Sequence, residues 1–173
     1  MLLVRHGATP TTGKVLPGRA PGLHLADLGR QQATGVAERL AGWAGAPAPA
    51  GADGGGGGNG GGRIKAVYAS PLERTRETAA PIARSLGLKV QVQRGLLECD
   101  FGDWTGAELK KLMKLPEWST VQRYPSGFRF PGGESFTAMQ ARITSAIADL
   151  CRLHPGETLV AVSHADPIKA AAE

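Results

Sequence analysis

Two apolar runs that each stop at a histidine constrain this chain more than anything else in it. The first is Leu2-Leu3-Val4, which ends in Arg5-His6-Gly7. The second, TLVAVS at 158–163, ends in His164. Runs this short, rich in aliphatic residues and without alternation, are predicted to be buried strands. In open α/β sheets ligands bind at the carboxyl edge, where a residue following a strand projects. A basic residue, a side chain that titrates near neutrality and a glycine meet at the end of the first run. His6 is therefore expected to do chemistry on an anion.

The segments between these runs fill in an alternating pattern. Residues 10–25 hold Pro10, Gly13, Pro17, Gly18, Pro21 and Gly22 and no period, and are predicted to form a functional loop. Thr9, Thr11, Thr12 and Arg19 are its polar groups that could reach an anion at His6, with turn chemistry and solvation the equal alternative for each. Asp27 is a plausible N-cap for an amphipathic helix with Ala33, Val36, Ala37 and Leu40 on one face, running to about residue 43. Residues 44–62 are Ala/Pro/Gly-rich and then nearly pure glycine, too poor in apolar side chains to offset their ordering entropy. They are expected to be a flexible insertion within one domain. They are not a P-loop, because no Lys-Ser/Thr pair follows the glycines.

A second buried strand is predicted at 64–70, with Ser70 as N-cap and Pro71 as first residue of a helix that ends before Gly87 and kinks at Pro81. Arg74 in its first turn faces the same sheet edge as His6, and Arg76 faces elsewhere. Residues 88–92 are expected to form a third strand. LLECDFGDWTG follows, crowding Glu98, Asp100 and Asp103 beside Phe101 and Trp104. A carboxyl group next to aromatic rings is a reasonable general acid, because desolvation raises its pKa, and Glu98 fits that better than Asp103. A short helix is expected over 107–115, ending at Pro116, then a Pro/Gly-rich loop over 124–133, a core-facing helix over 134–153, and a last helix capped by Ala165 or Asp166 with Pro167 at its first position.

Alternating strands and helices predict a three-layer α/β/α sandwich with a mainly parallel central sheet, in one domain spanning 1–173. Two histidines and two arginines at one edge would form a phosphate-sized positive pocket. The net charge of +5 is spread along the chain, and with 5% aromatic residues there are few stacking platforms, so nucleic acid is not the expected partner. No segment has the apolar length of a membrane span and no signal-peptide core opens the chain, so a cytoplasmic protein is expected. Cys99 and Cys151 stand alone, without zinc or disulfide spacing, and no metal or cofactor is expected.

LLVRHGAT, ASPLERTRETA, LLECDFGDWTG and VSHADPIKA, with FPGGES before the long helix, resemble in order the signature motifs of the histidine phosphatase superfamily, or phosphoglycerate mutase-like family. The resemblance covers essentially the whole chain. It implies that His6 accepts the phosphoryl group, that Arg5, Arg74 and His164 bind its oxygens and that Glu98 is the proton donor, with Asp166 in reserve. Thr12, Gly18 and Ala165 are the further substrate-binding positions it implies. Thr12 stands where many members have asparagine, and Ala165 where glycine is common after the second histidine.

The implied activity is metal-independent hydrolysis of a phosphoric monoester through a phosphohistidine. A phosphomutase is the runner-up, disfavoured by the short path from Glu98 to Glu134, and a non-catalytic phospholigand-binding protein is the third reading. The expected partner is a small phosphorylated metabolite, with no nucleic acid and no membrane, and a homodimer as the assembly to test. Selectivity is expected from the 10–25 loop and from 106–133 with Trp118, Arg123, Tyr124 and Arg129. Against the family pattern the chain ends early and is expected to leave one sheet edge open.

Overall fold

The structure, a computed structural model, describes residues 1–45 and 63–172. The insertion expected at 44–62 lies outside the described residues, apart from its first two. Those belong to the first helix, which runs past the expected end at residue 43.

The elements in order are β1 (Leu2–Arg5), α1 (Asp27–Gly45), β2 (Ile64–Ala69), α2 (Glu73–Ser85), β3 (Val90–Val92), α3 (Leu109–Leu112), α4 (Trp118–Arg123), α5 (Phe136–Leu153), β4 (Thr158–Ser163) and α6 (Ala165–Ala172). Among the described residues the strands form one parallel sheet in the order β1-β4-β2-β3. Insertion of β4 between β1 and β2 brings the two histidine-ended strands side by side, with Arg5 opposite Ser163 in the register.

The pleat explains the layers. Val67 and Ala69 of β2 and Val160 and Val162 of β4 point to one face, where Ala37 of α1 and Ala79, Ile82 and Ala83 of α2 cover them. Ala66, Tyr68, Leu159 and Ala161 point to the other, against Ile143 and Leu150 of α5. Both faces are buried, which is why these strands read as continuous apolar runs. A third cluster, of Cys99, Phe101, Trp104, Leu112, Phe128, Phe130 and Met139, packs beside the carboxyl edge under the loops. No described helix is long and apolar enough to cross a membrane.

Several local expectations are corrected. The first strand is only partly buried, because it lies at the edge of the described sheet and has one neighbour. Asp27 is the first helical residue of α1, not its cap. The second helix begins at Glu73 after an extended Leu72 with no side-chain cap, because Ser70 is engaged by a distant histidine. It runs without interruption through Pro81. The third strand is shortened to Val90–Val92, and the helix expected at 107–115 to Leu109–Leu112.

Helix α4 forms between the expected short helix and the expected loop at 124–133, in a short polar stretch for which the sequence predicts no element. The long helix starts at Phe136, where Ser135 accepts from the Ala138 N–H at 3.1 Å, and Glu134 is left free for an ion network. The last helix begins at Ala165, which makes Pro167 its third residue; the imino nitrogen there still falls among the first-turn positions that need no intrahelical donor.

Candidate active site

His6 follows β1 and turns immediately into the loop. Its Nδ1–H donates to the Gly7 carbonyl at 2.8 Å, a local bond that fixes the tautomer and leaves Nε2 as the ring's lone-pair nitrogen. Gly7 is required by a close approach: a Cβ there would lie 2.4 Å from the Gly29 carbonyl oxygen of α1. The Gly7 N–H is taken by Thr78 Oγ1 of α2 at 3.0 Å, and the His6 N–H by the Ser163 carbonyl at 3.1 Å. The loop carrying His6 is therefore tied to β4 and to helices α1 and α2.

Arg74, the second residue of α2, is fully buried. Its Nε–H points at His6 Nε2 from 3.3 Å, and its Nη2 donates to the Gly18 carbonyl at 2.8 Å. Gly18 has φ +51, a conformation glycine adopts freely, and that turns its carbonyl inward. His164, also fully buried, lies with its ring centre 5.2 Å from that of His6. Its Nε2 meets Ser70 Oγ at 2.8 Å, and its Nδ1 faces Glu98 Oε2 at 3.8 Å. Glu98 is nearly buried, and its other oxygen accepts from the Cys99 N–H at 2.9 Å.

Two polar atoms here, Arg74 Nη1 and His164 Nδ1, are buried without a hydrogen-bond partner. Each such group costs on the order of 1–3 kcal/mol, against a typical total stability of about 5–15 kcal/mol. Both belong to residues that lie against His6, and packing alone does not account for them.

The electrostatics separate acid from base. Burial lowers His6 to about 4; the bond to Gly7 opposes this, and the charges of Arg74 and Arg5 add to it. His6 is thus neutral at pH 7 and holds a lone pair. Burial pushes Glu98 the other way, to about 8; Asp166 adds to the rise, while the Cys99 N–H, Arg74 and Arg5 moderate it. Burial also holds His164 well below its ordinary value, helped by Arg74 and His6. The 3.8 Å contact between His164 and Glu98 is therefore between two neutral groups and is not an ion pair. Asp166 is also raised by burial, against Lys169 and Arg5.

The structure brings together His6, Arg74, His164 and Glu98 from four separate stretches. Arg5 is exposed at the end of β1, and Ala165 opens α6 directly after His164. Thr12 is exposed and its hydroxyl is occupied by the Thr9 N–H at 2.9 Å and the Thr9 hydroxyl at 3.0 Å. Arg19 does not reach toward His6 as the loop's composition suggested. Its Nε donates to the Glu98 carbonyl at 2.9 Å and its Nη2 to Glu134 at 3.2 Å, because two acceptors on neighbouring loops outcompete an open pocket. His24 pairs with Glu77, and His154 with Tyr68 and Glu157, both outside the site. Among the described residues no group of His, Cys, Asp and Glu could hold a metal.

Sequence reasoning missed the frame behind Glu98. Arg142 of α5 donates to the carbonyls of Gly95, Leu97 and Glu98 at 2.8, 2.9 and 3.3 Å, and grips Glu134 through Nε and Nη2 at 2.9 and 3.0 Å. Glu134 in turn accepts from the Asp100 N–H at 3.2 Å. Burial acts to raise Glu134, but Arg142, the Asp100 N–H and Arg19 outweigh it and hold its carboxyl below the usual value. The signal available in the sequence was a charged pair eight residues apart at the start of a helix, which by itself says nothing about a loop some 45 residues earlier.

A family model described as Histidine phosphatase superfamily (branch 1) matches residues 1–48 and 60–173. The chain is 33% identical over 172 residues to a bifunctional protein of Mycobacterium tuberculosis, covering 98% of this chain and 42% of that one. It is 29% identical over 175 residues to phosphoserine phosphatase 1 of Hydrogenobacter thermophilus, covering 98% of this chain and 72% of the other. Among solved structures it is similar to a mycobacterial glucosyl-3-phosphoglycerate phosphatase, with TM-score 0.78, 26% identity, and coverage of 98% of this chain and 76% of that one. The chain thus spans less than half of the mycobacterial bifunctional protein and about three quarters of the two phosphatases. With the family match covering both histidine-ended strands and everything between them but part of the glycine-rich stretch, the chain belongs to the histidine phosphatase superfamily.

Proposed function

We propose that the chain hydrolyses phosphoric monoesters of small metabolites through a phosphohistidine on His6. The observation that carries this reading is a neutral His6 whose Nε2 lone pair is met by the Arg74 Nε–H at 3.3 Å and whose ring lies 5.2 Å from that of His164, with Arg74 Nη1 and His164 Nδ1 both buried and unpartnered. A nucleophile beside one unsatisfied guanidinium donor and a second buried imidazole fits a tetrahedral anion. The phosphatases among its relatives support the same reaction class.

In the proposed reaction His6 Nε2 attacks phosphorus and the ester oxygen leaves with a proton from Glu98, which burial keeps protonated at neutral pH. Water then attacks the phosphohistidine, Glu98 takes its proton, and inorganic phosphate leaves. Arg74, Arg5 and His164 take the phosphoryl oxygens, so positioning and electrostatics supply most of the rate. Gly18 acts through Arg74, whose guanidinium its carbonyl holds. Ala165 offers the first N–H of α6, and Thr12, bonded to Thr9, shapes the loop. Asp166 keeps the proton on Glu98 by its nearby charge.

The test is hydrolysis of an aryl phosphate at mildly acidic pH, with labelled phosphate trapped on His6 after rapid quenching. Hydrolysis that survives His6→Ala overturns the mechanism. Phosphoryl transfer from a bisphosphate to a monophosphate without net hydrolysis would replace it with the mutase reading.

A further inference from the structure

Ser70 was expected to cap a helix, and it does not. It lies just past the end of β2, fully buried, with its N–H bonded to the Val162 carbonyl at 3.1 Å, which puts its hydroxyl against the edge of His164. On its other side is Thr75 Oγ1 at 2.7 Å, which itself lies 2.9 Å from the Ser70 carbonyl and 2.8 Å from the Leu72 carbonyl. His164 Nε2, Ser70 Oγ and Thr75 Oγ1 are thus a row of three polar atoms sealed from water. The far end of the imidazole, Nδ1, is buried without a hydrogen-bond partner, 3.8 Å from Glu98 Oε2.

Two proton arrangements satisfy this row. In one, Thr75 donates to a carbonyl, Ser70 donates to Thr75, and His164 donates Nε2–H to Ser70, which leaves a lone pair on Nδ1 toward the protonated Glu98. In the other, Thr75 donates to Ser70, Ser70 donates to Nε2, and Nδ1 carries the proton. The carbonyl of Leu72 keeps a donor in both, because the Arg76 N–H reaches it at 3.1 Å. The two arrangements differ by rotation of two hydroxyl groups and a change of tautomer at a neutral ring, with no net charge moved into the protein.

A phosphoryl oxygen is only an acceptor, so a neutral His164 can serve it only with hydrogen on Nδ1. We propose that Ser70 is the positioning residue that makes this possible: with an anion bound, its hydroxyl donates to His164 Nε2 and holds the ring in the Nδ1–H tautomer. The assignment rests on the phosphate-binding reading of the site given above. It supplies what that reading lacks, a reason for a histidine buried too deeply to be charged to act as a donor. Thr75 accepts the Ser70 hydrogen bond in the first arrangement and donates one to Ser70 in the second, each hydroxyl keeping its own hydrogen.

The experiment uses the full chain labelled with ¹⁵N at histidine, with inorganic phosphate as the probe, and reads the His164 ring nitrogens by long-range ¹H–¹⁵N correlation. In the wild type, phosphate is expected to leave Nε2 unprotonated and Nδ1 protonated. Ser70→Ala is expected to lose that pattern and to lower kcat/KM for an aryl phosphate by about 10- to 100-fold, the scale of a misplaced anion donor. Ser70→Cys, close in size and a weaker donor, is expected to fall between, and it carries the test if the alanine variant does not fold. In Thr75→Val the Ser70 proton has only His164 to go to, so the Nδ1–H pattern is expected even without phosphate.

A protonated Nε2 in the phosphate-bound wild type, as the other tautomer or as imidazolium, overturns the proposal. Unchanged kcat/KM in a folded Ser70→Ala overturns it as well. A wild type that hydrolyses the ester while His164 ignores phosphate sinks this assignment alone. A wild type that neither hydrolyses nor binds phosphate removes the reading beneath it and this assignment together.

Discussion

Glu134 and Glu98, two carboxylates beside arginines on neighbouring loops, have opposite fates. Glu134 accepts hydrogen bonds from Arg142, Arg19 and the Asp100 backbone and is held ionised below its ordinary pKa. Glu98, one loop away, accepts a single backbone bond and is pushed up to about 8. The arginines differ in the same sense. Arg142 spends its guanidinium on three carbonyls and one carboxylate, whereas Arg74 keeps a buried N–H unpartnered. One region is electrostatically complete and acts as a brace. The other is incomplete, and on the proposed reading that incompleteness is what suits it to a phosphoryl group. The brace also holds the backbone of the residue whose carboxyl is left unsatisfied, since Arg142 and Arg19 both donate to the Glu98 carbonyl. Stability built in one place thus supports strain kept in the next.

The comparison breaks most severely at His6. His6→Ala is expected to lower kcat by about four orders of magnitude with the fold retained, as loss of the nucleophile does where chemistry depends on a covalent intermediate. Steady-state hydrolysis together with circular dichroism checks both halves.

Glu98→Gln is expected to lower kcat by about 10²- to 10³-fold. In the wild type kcat/KM should be bell-shaped, with limbs near 4 for His6 and near 8 for Glu98, and the glutamine variant should lose the alkaline limb. The two groups also act on stability with opposite sign. The folded state binds the Glu98 proton more tightly than the unfolded chain, so its contribution falls as pH rises from about 4.5 to about 8. His6 is lowered, so its contribution rises as pH climbs from about 4 to 6.5. The Tm of Glu98→Gln relative to wild type should therefore increase steadily from pH 5 to 8. A flat difference would show that Glu98 is not held neutral by its surroundings.

On the braced side the loss should fall first on stability. Removal of one partner of a fully buried pair costs about 3–5 kcal/mol; Arg142 and Glu134 keep 22% and 14% of their side-chain surface, so Arg142→Met is expected to cost about 2–3 kcal/mol. Its kcat should drop several-fold while KM changes little, because the Glu98 loop loosens and the anion-binding groups remain. Denaturant melts and kinetics on one preparation separate the two effects.

Arg19→Ala should do least. Its side chain is 31% exposed, its contact with Asp100 is a 3.7 Å surface pair, and its bonds to the Glu98 carbonyl and Glu134 duplicate those of Arg142. A loss of about 1 kcal/mol, with activity within a few-fold of wild type, is expected. A larger kinetic loss than in Arg142→Met would move the centre of the brace from α5 to the loop at 10–25.

Some of this architecture was legible before any fold was known. TLVAVS reads as a fully buried strand and is one, because both faces of β4 are covered and no polar alternation is needed. The stripe Phe136, Met139, Ile143, Ile147 and Leu150 reads as core by its helical spacing; Met139, Ile143 and Leu150 are buried, and Phe136 and Ile147 are partly buried against the same clusters. Less was legible where a residue's partner lies far along the chain. Ser70 and Pro71 look like a helix start because a serine before a proline is a good local cap. A histidine 94 residues away claims the serine instead.

What the sequence by itself determined is the set of parts and the edge at which they emerge: His6 and His164 at strand ends, Arg74 in a first helical turn, and Glu98 in an aromatic-flanked loop. These follow from patterns spanning a few residues, since hydrophobic period and turn chemistry are local. What only the tertiary structure decided is how the parts meet. Strand β4 inserts beside β1 and sets the two imidazoles 5.2 Å apart. Arg142 reaches back across 44 to 47 residues to hold the Glu98 loop. Burial moves two pKa values in opposite directions. Desolvation and pairing depend on everything packed around a group, and no short stretch of chain contains that information.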